Sequence, residues 1–545
     1  MKVVQKPRDP FAHDNMPPTH LRPKFINLDV VPQSAPFNCA EELLDKAIDE
    51  GHAKKIAIYS SDTQWTYGQL LEKTNQIAHV LREDFGLVAG NRVLLRSANK
   101  PMLLACWLAV IKAGGIVVTT IAMLRAKEIA NIAQQSNAEF ALCDLQLKDE
   151  LEAAAEQIDQ LSKILYFNDA EGLEARMKKK PGTFENHPAK HSDIAIIAFT
   201  SGTTGQPKAA LHSHHAIIAV CETFSKQVIK PTSEDIFSGT PPLGFVYGLG
   251  GLLLFPLHAR AATVMLEDVR TAALAEAISR FKISVLFTAP TAYKALLDVF
   301  DATQLRSLRK GISAGEALPN YVSKGWLDKA GIRLIDGIGS TEMLHIFISV
   351  QHRDDPIGSL GKAVPGYEAC IVDKEGNPVP VNEIGYLAVR GPSGCLYLND
   401  TRQAKYVING WNVTGDSAKI DAAGYFWYQA RTDGMIISSG YNIAGPEVEQ
   451  TISQHPAIAE CAVIGAPDPE RGNIVKAYVV LKDGIAPSSS LVKDIQDFAK
   501  QKGAPYKYPR SVEFIDALPR TPTGKVQHFA LRERAGVTKS PTQSL

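Results

Sequence analysis

The chain holds 545 residues, 45% of them hydrophobic and 21% charged. That is ordinary globular composition in a chain too long for one core, because a single core rarely grows past roughly 250–300 residues. Lys plus Arg and Asp plus Glu balance at 58 each, so the formal net charge is zero, which argues against a dedicated nucleic-acid or anionic-membrane binder.

The N-terminus is polar and broken by prolines, so it does not read as a secretory signal; about the first thirty residues are expected to wrap the surface irregularly. From Cys39 helices alternate with short apolar strands. Residues 91–97 read as a strand, 101–113 as a helix and 115–120 as a second strand, with Pro101 placed to start the helix and Gly114-Gly115 to end it. The longest apolar stretch, 102–111, is too short to span a bilayer. Further strands are expected at 194–199 and 283–287, each leading into a helical pattern. Such alternation implies mostly parallel sheets sandwiched by helices.

Past about Gly361 the texture changes. Residues 367–373, a turn at Glu375-Gly-Asn-Pro and residues 384–390 read as antiparallel strands of a β-rich subdomain. A turn-rich stretch, Ala430-Arg-Thr-Asp-Gly, leads into a final unit whose first helix carries Pro446 in its first turn, followed by Glu447 and Glu449. The tail, 536–545, is polar and expected to be disordered. Cys39, Cys106, Cys143, Cys221, Cys370, Cys395 and Cys461 are scattered and form no CxxC pair. That argues against a disulfide framework or a zinc site and fits a reducing cytoplasm. The fold expected is α/β: a large N-terminal domain, 1–432, of two helix-flanked, mostly parallel sheets plus the β-rich subdomain, then a small mobile α+β domain, 433–545.

The strongest local signal is Thr200-Ser201-Gly202-Thr203-Thr204-Gly205-Gln206-Pro207-Lys208, straight after an apolar strand. Two glycines among hydroxyl residues let backbone N–H groups approach an anion, and Lys208 adds a positive charge, so the run reads as a phosphate cradle. It is not a Walker A loop, because GxxxxGK[ST] cannot be laid over it. A flexible linker is the bland alternative, disfavoured by the specific order of the run.

This run resembles the signature of the adenylate-forming superfamily: acyl- and aryl-CoA synthetases, luciferases and peptide-synthetase adenylation domains. The superfamily's other signatures follow in order, so the resemblance covers essentially the whole chain. Asp336-Gly337-Ile338-Gly-Ser-Thr341-Glu342 is the next match. The resemblance implies that Thr341 contacts phosphate and Glu342 holds the magnesium ion on ATP, a role that suits a hard carboxylate oxygen. Read blandly, Ser-Thr-Glu is a helix cap. Ile338 stands where many relatives carry an aromatic residue that stacks on adenine, a variation shared with aryl-CoA ligases. Trp411-Asn-Val-Thr-Gly-Asp416 resembles the motif whose acid binds both ribose hydroxyls; a hairpin turn is the bland alternative. Arg431 would bind ribose or phosphate, and Asp433 matches the hinge about which relatives swing their C-terminal domain. Ala430 and Gly434 depart from the family's usual Gly and acid. In Pro519-Arg-Thr-Pro-Thr-Gly-Lys525, the resemblance implies that Lys525 bridges the acid's carboxylate and the α-phosphate. Gly440-Tyr441-Asn442 would face a pantetheine channel in the second half-reaction.

The implied activity is ATP-dependent ligation of an acid to CoA through an acyl adenylate, with Mg2+ accompanying ATP. Pro241 to Gly250 resembles the family segment that lines the acid pocket, so Phe245, Tyr247 and Gly248 are candidates, joined by Gly315, Ile338 and His345. His345 could equally be a satisfied structural histidine. The run 340–347 is similar to benzoate-type ligases, and Asp14-Asn-Met-Pro-Pro to 2-aminobenzoate (anthranilate) ligases, so an aromatic acid is expected. A medium-chain fatty acyl-CoA ligase, or a catalytically silent nucleotide-binding module, are the rivals. No nucleic-acid or membrane partner is expected; the oligomeric state is left open.

Overall fold

The computed structural model describes residues 8–32, 36–200, 207–299, 301, 303–431, 435–438, 441–468, 472–502, 507–521 and 524–536. They divide into two compact units. One runs to Ala369 and takes in Val389–Asn412; the other holds Cys370–Ala388 and everything from Val413 onward.

The larger unit carries two sheets. In the first the spatial order is Lys163–Phe167, Phe140–Asp144, Arg92–Arg96, Ile116–Thr119, Ile194–Phe199, Ala209–Ser213. The first five strands are parallel, and Ala209–Ser213 returns antiparallel to Ile194–Phe199. Here the structure refines the sequence reading. The run 194–199 was expected to lead into a helical pattern, and it does so only after the chain turns back as strand Ala209–Ser213. Four of that strand's five residues are buried, and only then does the Ser213 hydroxyl cap helix His214–Val220 by accepting the Ala216 N–H at 3.2 Å. The glycine-rich run therefore joins two antiparallel strands.

The second sheet has nine strands. Its central members, among them Ile236–Gly239, Val285–Thr288, Lys310–Ser313 and Ile335–Gly339, run parallel. Ile346–Ser349 then folds back antiparallel beside Ile335–Gly339. Helix Pro101–Lys112 starts at its proline, and every residue from Met102 to Lys112 is buried. A helix apolar on all sides belongs in a core, which explains the 102–111 run. No described helix is long and apolar enough to cross a membrane. At the end of this helix the Lys112 ammonium lies 2.5 and 2.6 Å from the Asp45 carboxylate oxygens, pairing a charge that has no exposure. The N-terminal segment is mostly irregular, as expected, but it includes helix Phe11–Asp14 and is fastened by the Arg92 guanidinium on Asp9.

In the smaller unit Phe426–Arg431 pairs antiparallel with the end of strand Trp411–Ile420. Strands Ile458–Asp468, Gly472–Leu481 and Ser511–Phe514 form a three-stranded sheet, and Met435–Ser438 pairs with Tyr441–Ala444. Helix Gly445–Ile452 carries Pro446 in its first turn. Its Val448 and Ile452 join Ile436, Val463, Val479 and Ile495 in one apolar cluster. This α+β pattern follows the sequence reading. Residues 537–545, most of the tail expected to be disordered, lie outside the described residues.

Candidate active site

The fully buried strand Ile194–Phe199 delivers the chain to Thr200. The Thr200 N–H donates to the Lys208 carbonyl at 3.0 Å, and the Lys208 N–H donates to the Thr200 hydroxyl at 3.2 Å. These bonds join the two ends of the loop. Ser201, Gly202, Thr203 and Thr204, the proposed phosphate donors, lie outside the described residues.

From Lys208 the contacts lead to Glu342. The Lys208 ammonium donates to the Tyr397 hydroxyl at 2.8 Å, and that hydroxyl donates to Glu342 Oε1 at 2.5 Å. Lys208 Nζ is itself 3.7 Å from the same carboxylate oxygen. It also sits over the rings of Tyr397 and Tyr406, 4.8 and 5.6 Å from their centroids. Glu342 is 7% exposed and Tyr397 fully buried. Burial and the neighbouring carboxylate push the Tyr397 phenol far up, so it stays protonated and donates.

Glu342 reaches this place from a tight turn between two strands, Ile335–Gly339 and Ile346–Ser349, not from a helix cap. Leu344 in that turn has φ +69, a left-handed conformation uncommon outside glycine and costly for a branched side chain. The Thr341 carbonyl accepts from His212 Nε2 at 2.8 Å, which fixes the imidazole tautomer. His212 is almost wholly buried, and burial pushes its pKa down to about 4.

Along the incoming strand Asp336 is half-buried, and desolvation pushes its carboxyl up to about 8, against the pull of the Gly337 backbone and Arg333. A Cβ on Gly337 would lie 2.8 Å from the Ile346 side chain, so the close strand pairing requires glycine. Ile338 is half-buried and pairs with Ile348. Gly315 follows strand Lys310–Ser313 with φ +93.

Of the proposed acid-binding side chains, Tyr247 meets His345. The His345 ring is 3% exposed and lies among Phe255, Phe224, Tyr247 and Phe287, at centroid distances of 4.6, 5.2, 5.9 and 6.2 Å. Neither ring nitrogen completes a hydrogen bond with the described residues. Burial pushes the pKa down to about 3, opposed by the Tyr247 backbone, so the imidazole is neutral. The Tyr247 phenol is held by the Ile312 carbonyl at 2.8 Å. Gly248 is buried, and a Cβ there would meet the Pro242 carbonyl at 2.1 Å. Phe245, half-buried, precedes helix Val246–Leu249, but no ring contact joins it to His345 among the described residues.

In the smaller unit Asp416 stands in the interior of strand Trp411–Ile420, opposite Arg431, not in a hairpin turn. It is 8% exposed. Tyr441 and Asn442 belong to strand Tyr441–Ala444, whereas Asp433 and Gly440 lie outside the described residues. The Lys525 loop closes on itself. Thr521 N–H donates to the Lys525 carbonyl at 2.8 Å, Lys525 N–H returns to the Thr521 hydroxyl at 3.1 Å, and Gly524 makes the bend at φ +84. Lys525 is exposed.

Tyr397 and the ring set of Phe224, Phe255 and Phe287 were not among the residues singled out in the sequence. An ammonium and a carboxylate beside the closed ends of a glycine-rich loop can hold a phosphate chain with its cation. Four aromatic rings surround the buried His345 imidazole.

Comparison with known proteins shows the family. Residues 44–396 match the AMP-binding enzyme family, and residues 447–525 match the AMP-binding enzyme C-terminal domain. A benzoate–CoA ligase of Thauera aromatica is 32% identical, over 91% of this chain and 96% of its own. The human mitochondrial acyl-coenzyme A synthetase ACSM3 is 31% identical, over 91% and 89%. The crystal structure of an anthranilate CoA ligase in complex with anthranoyl-AMP superposes with a TM-score of 0.88 at 32% identity, covering 94% of this chain and 99% of that one. With matched models over both parts of the chain and relatives aligned along nearly all of it, the chain belongs to the AMP-binding, adenylate-forming enzyme family and is an acid–thiol ligase of the acyl-CoA synthetase type.

Proposed function

We propose that the acid is aromatic, benzoate or 2-aminobenzoate. The observation that carries this reading is His345, a buried neutral imidazole ringed by four aromatic side chains, with neither nitrogen completing a well-aligned hydrogen bond among the described residues. An unpaired buried polar group costs about 1–3 kcal/mol. A planar acid whose ring packs on the aromatic faces, and whose 2-substituent meets an imidazole nitrogen, would recover part of that cost. The names of the benzoate and anthranilate ligases among the relatives support the same class.

In this reading ATP lies with its phosphates on Thr200, Ser201, Gly202, Thr203, Thr204, Lys208 and Thr341. Its adenine lies by Gly315, Asp336, Gly337 and Ile338, and its ribose by Asp416 and Arg431. Glu342 would hold the Mg2+ that accompanies the nucleotide. A single hard carboxylate, Glu342, fits a cation that also binds phosphate oxygens and keeps its waters. The acid's carboxylate attacks the α-phosphorus, forming a carboxyl–phosphorus mixed anhydride and expelling pyrophosphate. Lys525 neutralises the charge that builds between them. The domain from residue 433 then turns about Asp433, withdrawing Lys525 and bringing Gly440, Tyr441 and Asn442 to the CoA arm. The thiol displaces AMP from the acyl carbon.

CoA-dependent AMP release over a panel of acids tests the substrate. Preference for benzoate or 2-aminobenzoate over hexanoate and acetate is expected. Preference for hexanoate, the class a medium-chain enzyme would take, would overturn the aromatic reading while leaving the ligase chemistry in place.

A further inference from the structure

The segment that carries Phe245 and Tyr247 begins at Pro241-Pro242, two residues with no N–H to give a neighbouring strand. A side chain from the loop after a strand of the other sheet pairs the polar groups on either side of Pro242. Asn99, 8% exposed, stands in the short loop between strand Arg92–Arg96 and helix Pro101–Lys112. Its Nδ2 donates to the Pro241 carbonyl at 3.1 Å, and its Oδ1 accepts from the Leu243 N–H at 2.8 Å. One carboxamide thus serves the carbonyl of one residue and the N–H two residues on, as the peptide of an adjacent strand would.

The turn beyond this anchor is tightly confined. A Cβ on Gly244 would lie 2.2 Å from the Thr120 carbonyl, and one on Gly248 would lie 2.1 Å from that of Pro242. The Phe245 N–H closes onto Pro242 O at 3.0 Å. At the far end the Tyr247 phenol is fixed to Ile312 O. Between its two side-chain anchors the turn has little room to adjust, so its entry is set by Asn99 and its exit by Tyr247.

We propose that Asn99 is the positioning residue for the acid-binding turn: it never touches the acid, but it sets where Phe245 and Tyr247 stand. This rests on the reading that 245–248 lines the acid pocket. Asn99→Asp keeps the acceptor for Leu243 and replaces the donor to Pro241 with a carboxylate oxygen. Asn99→Ser removes the reach to both.

The measurement is the KM for the best acid of the panel and, separately, for ATP, in both variants and in His345→Ala, with thermal unfolding of each. The expected result is a rise of about tenfold or more in acid KM in both Asn99 variants, the scale of an unpaired buried group. The ATP KM should stay within about twofold. Equal rises in both KM values, or failure of both variants to fold, would make Asn99 merely structural and overturn the proposal. If His345→Ala shifts acid KM and neither Asn99 variant does, the positioning role falls and the pocket reading stands. If none of the three shifts it, the pocket reading falls as well.

Discussion

Around Glu342 an ammonium, a phenol and a carboxylate satisfy one another within 3.7 Å. Around His345 four aromatic rings enclose an imidazole whose nitrogens complete no well-aligned hydrogen bond among the described residues. Both clusters belong to the larger unit, yet they face their substrates differently. The first is already paired, so on the proposed reading a nucleotide takes Lys208 and Glu342 from contacts they hold, and affinity is a difference between two sets of charge-assisted bonds. The second is buried and apolar, so on the proposed reading a ligand gains there from ring packing and one hydrogen bond. Charge should therefore dominate losses on the nucleotide side, and shape with a single hydrogen bond should dominate on the acid side.

The largest effect is expected from charge supplied at the reacting phosphate. Lys525→Ala should slow adenylation on the order of 10²–10³-fold, the scale seen when one donor to a developing charge is removed. Conversion of supplied acyl adenylate to thioester should be nearly unchanged. Single-turnover assays of the two half-reactions separate these outcomes, and equal loss in both would break the division between them.

Next comes Tyr397→Phe. The phenol holds the Glu342 carboxylate and shares the Lys208 ammonium. Hydrogen bonds to charged groups contribute about 1.5–3 kcal/mol. Without the hydroxyl, Glu342 loses the donor that orients it, and Lys208 is left to pair with it directly. The ATP KM should rise about tenfold and the acid KM should not follow. A variant that weakened acid binding instead would show that the two clusters are not independent.

Tyr397 also marks the boundary of what the sequence could say. Lys208, Glu342 and the Lys525 loop were legible because each sits in a run whose residue order has a chemical reason. Tyr397 stands in Cys395-Leu-Tyr-Leu, which reads as ordinary core. Its partners are 55 and 189 residues away along the chain, so only the fold brings them together. Asn99 is hidden the same way, since Ser97-Ala-Asn-Lys-Pro101 reads as a loop before a helix, and its bonds go to residues more than 140 positions on. The α/β alternation was legible from apolar periodicity. The return strand Ala209–Ser213 was not, because five residues of Ala, Leu, His and Ser carry too short a pattern to separate strand from helix. His345 was legible as a candidate but not as a group without a well-aligned hydrogen bond, because satisfaction is a property of neighbours.

The smallest effect on turnover, and the sharpest test of the cage, is His345→Phe. It should reduce discrimination between 2-aminobenzoate and benzoate to near unity, with ATP KM unchanged. The same variant has a signature in stability. His212 and His214 have pKa values pushed down to about 4 and His345 to about 3, each by burial, from an ordinary 6.5. Between these values and 6.5 the unfolded chain binds protons that the folded chain refuses, so stability falls as pH falls through that window. Asp336, raised to about 8, acts in the opposite sense: its contribution is present at low pH and lost as pH rises towards 8. Each proton contributes a slope of about 1.4 kcal/mol per pH unit. Replacing His345 should therefore flatten the acid side of the stability curve by about one such proton between roughly pH 4 and 6, whatever the variant does to stability at neutral pH. Denaturant unfolding at half-unit pH steps reads that slope directly. An unchanged slope would mean that His345 already holds its proton, or shares one with a partner, in the folded chain. The cage would then belong with the charged cluster and not opposite it.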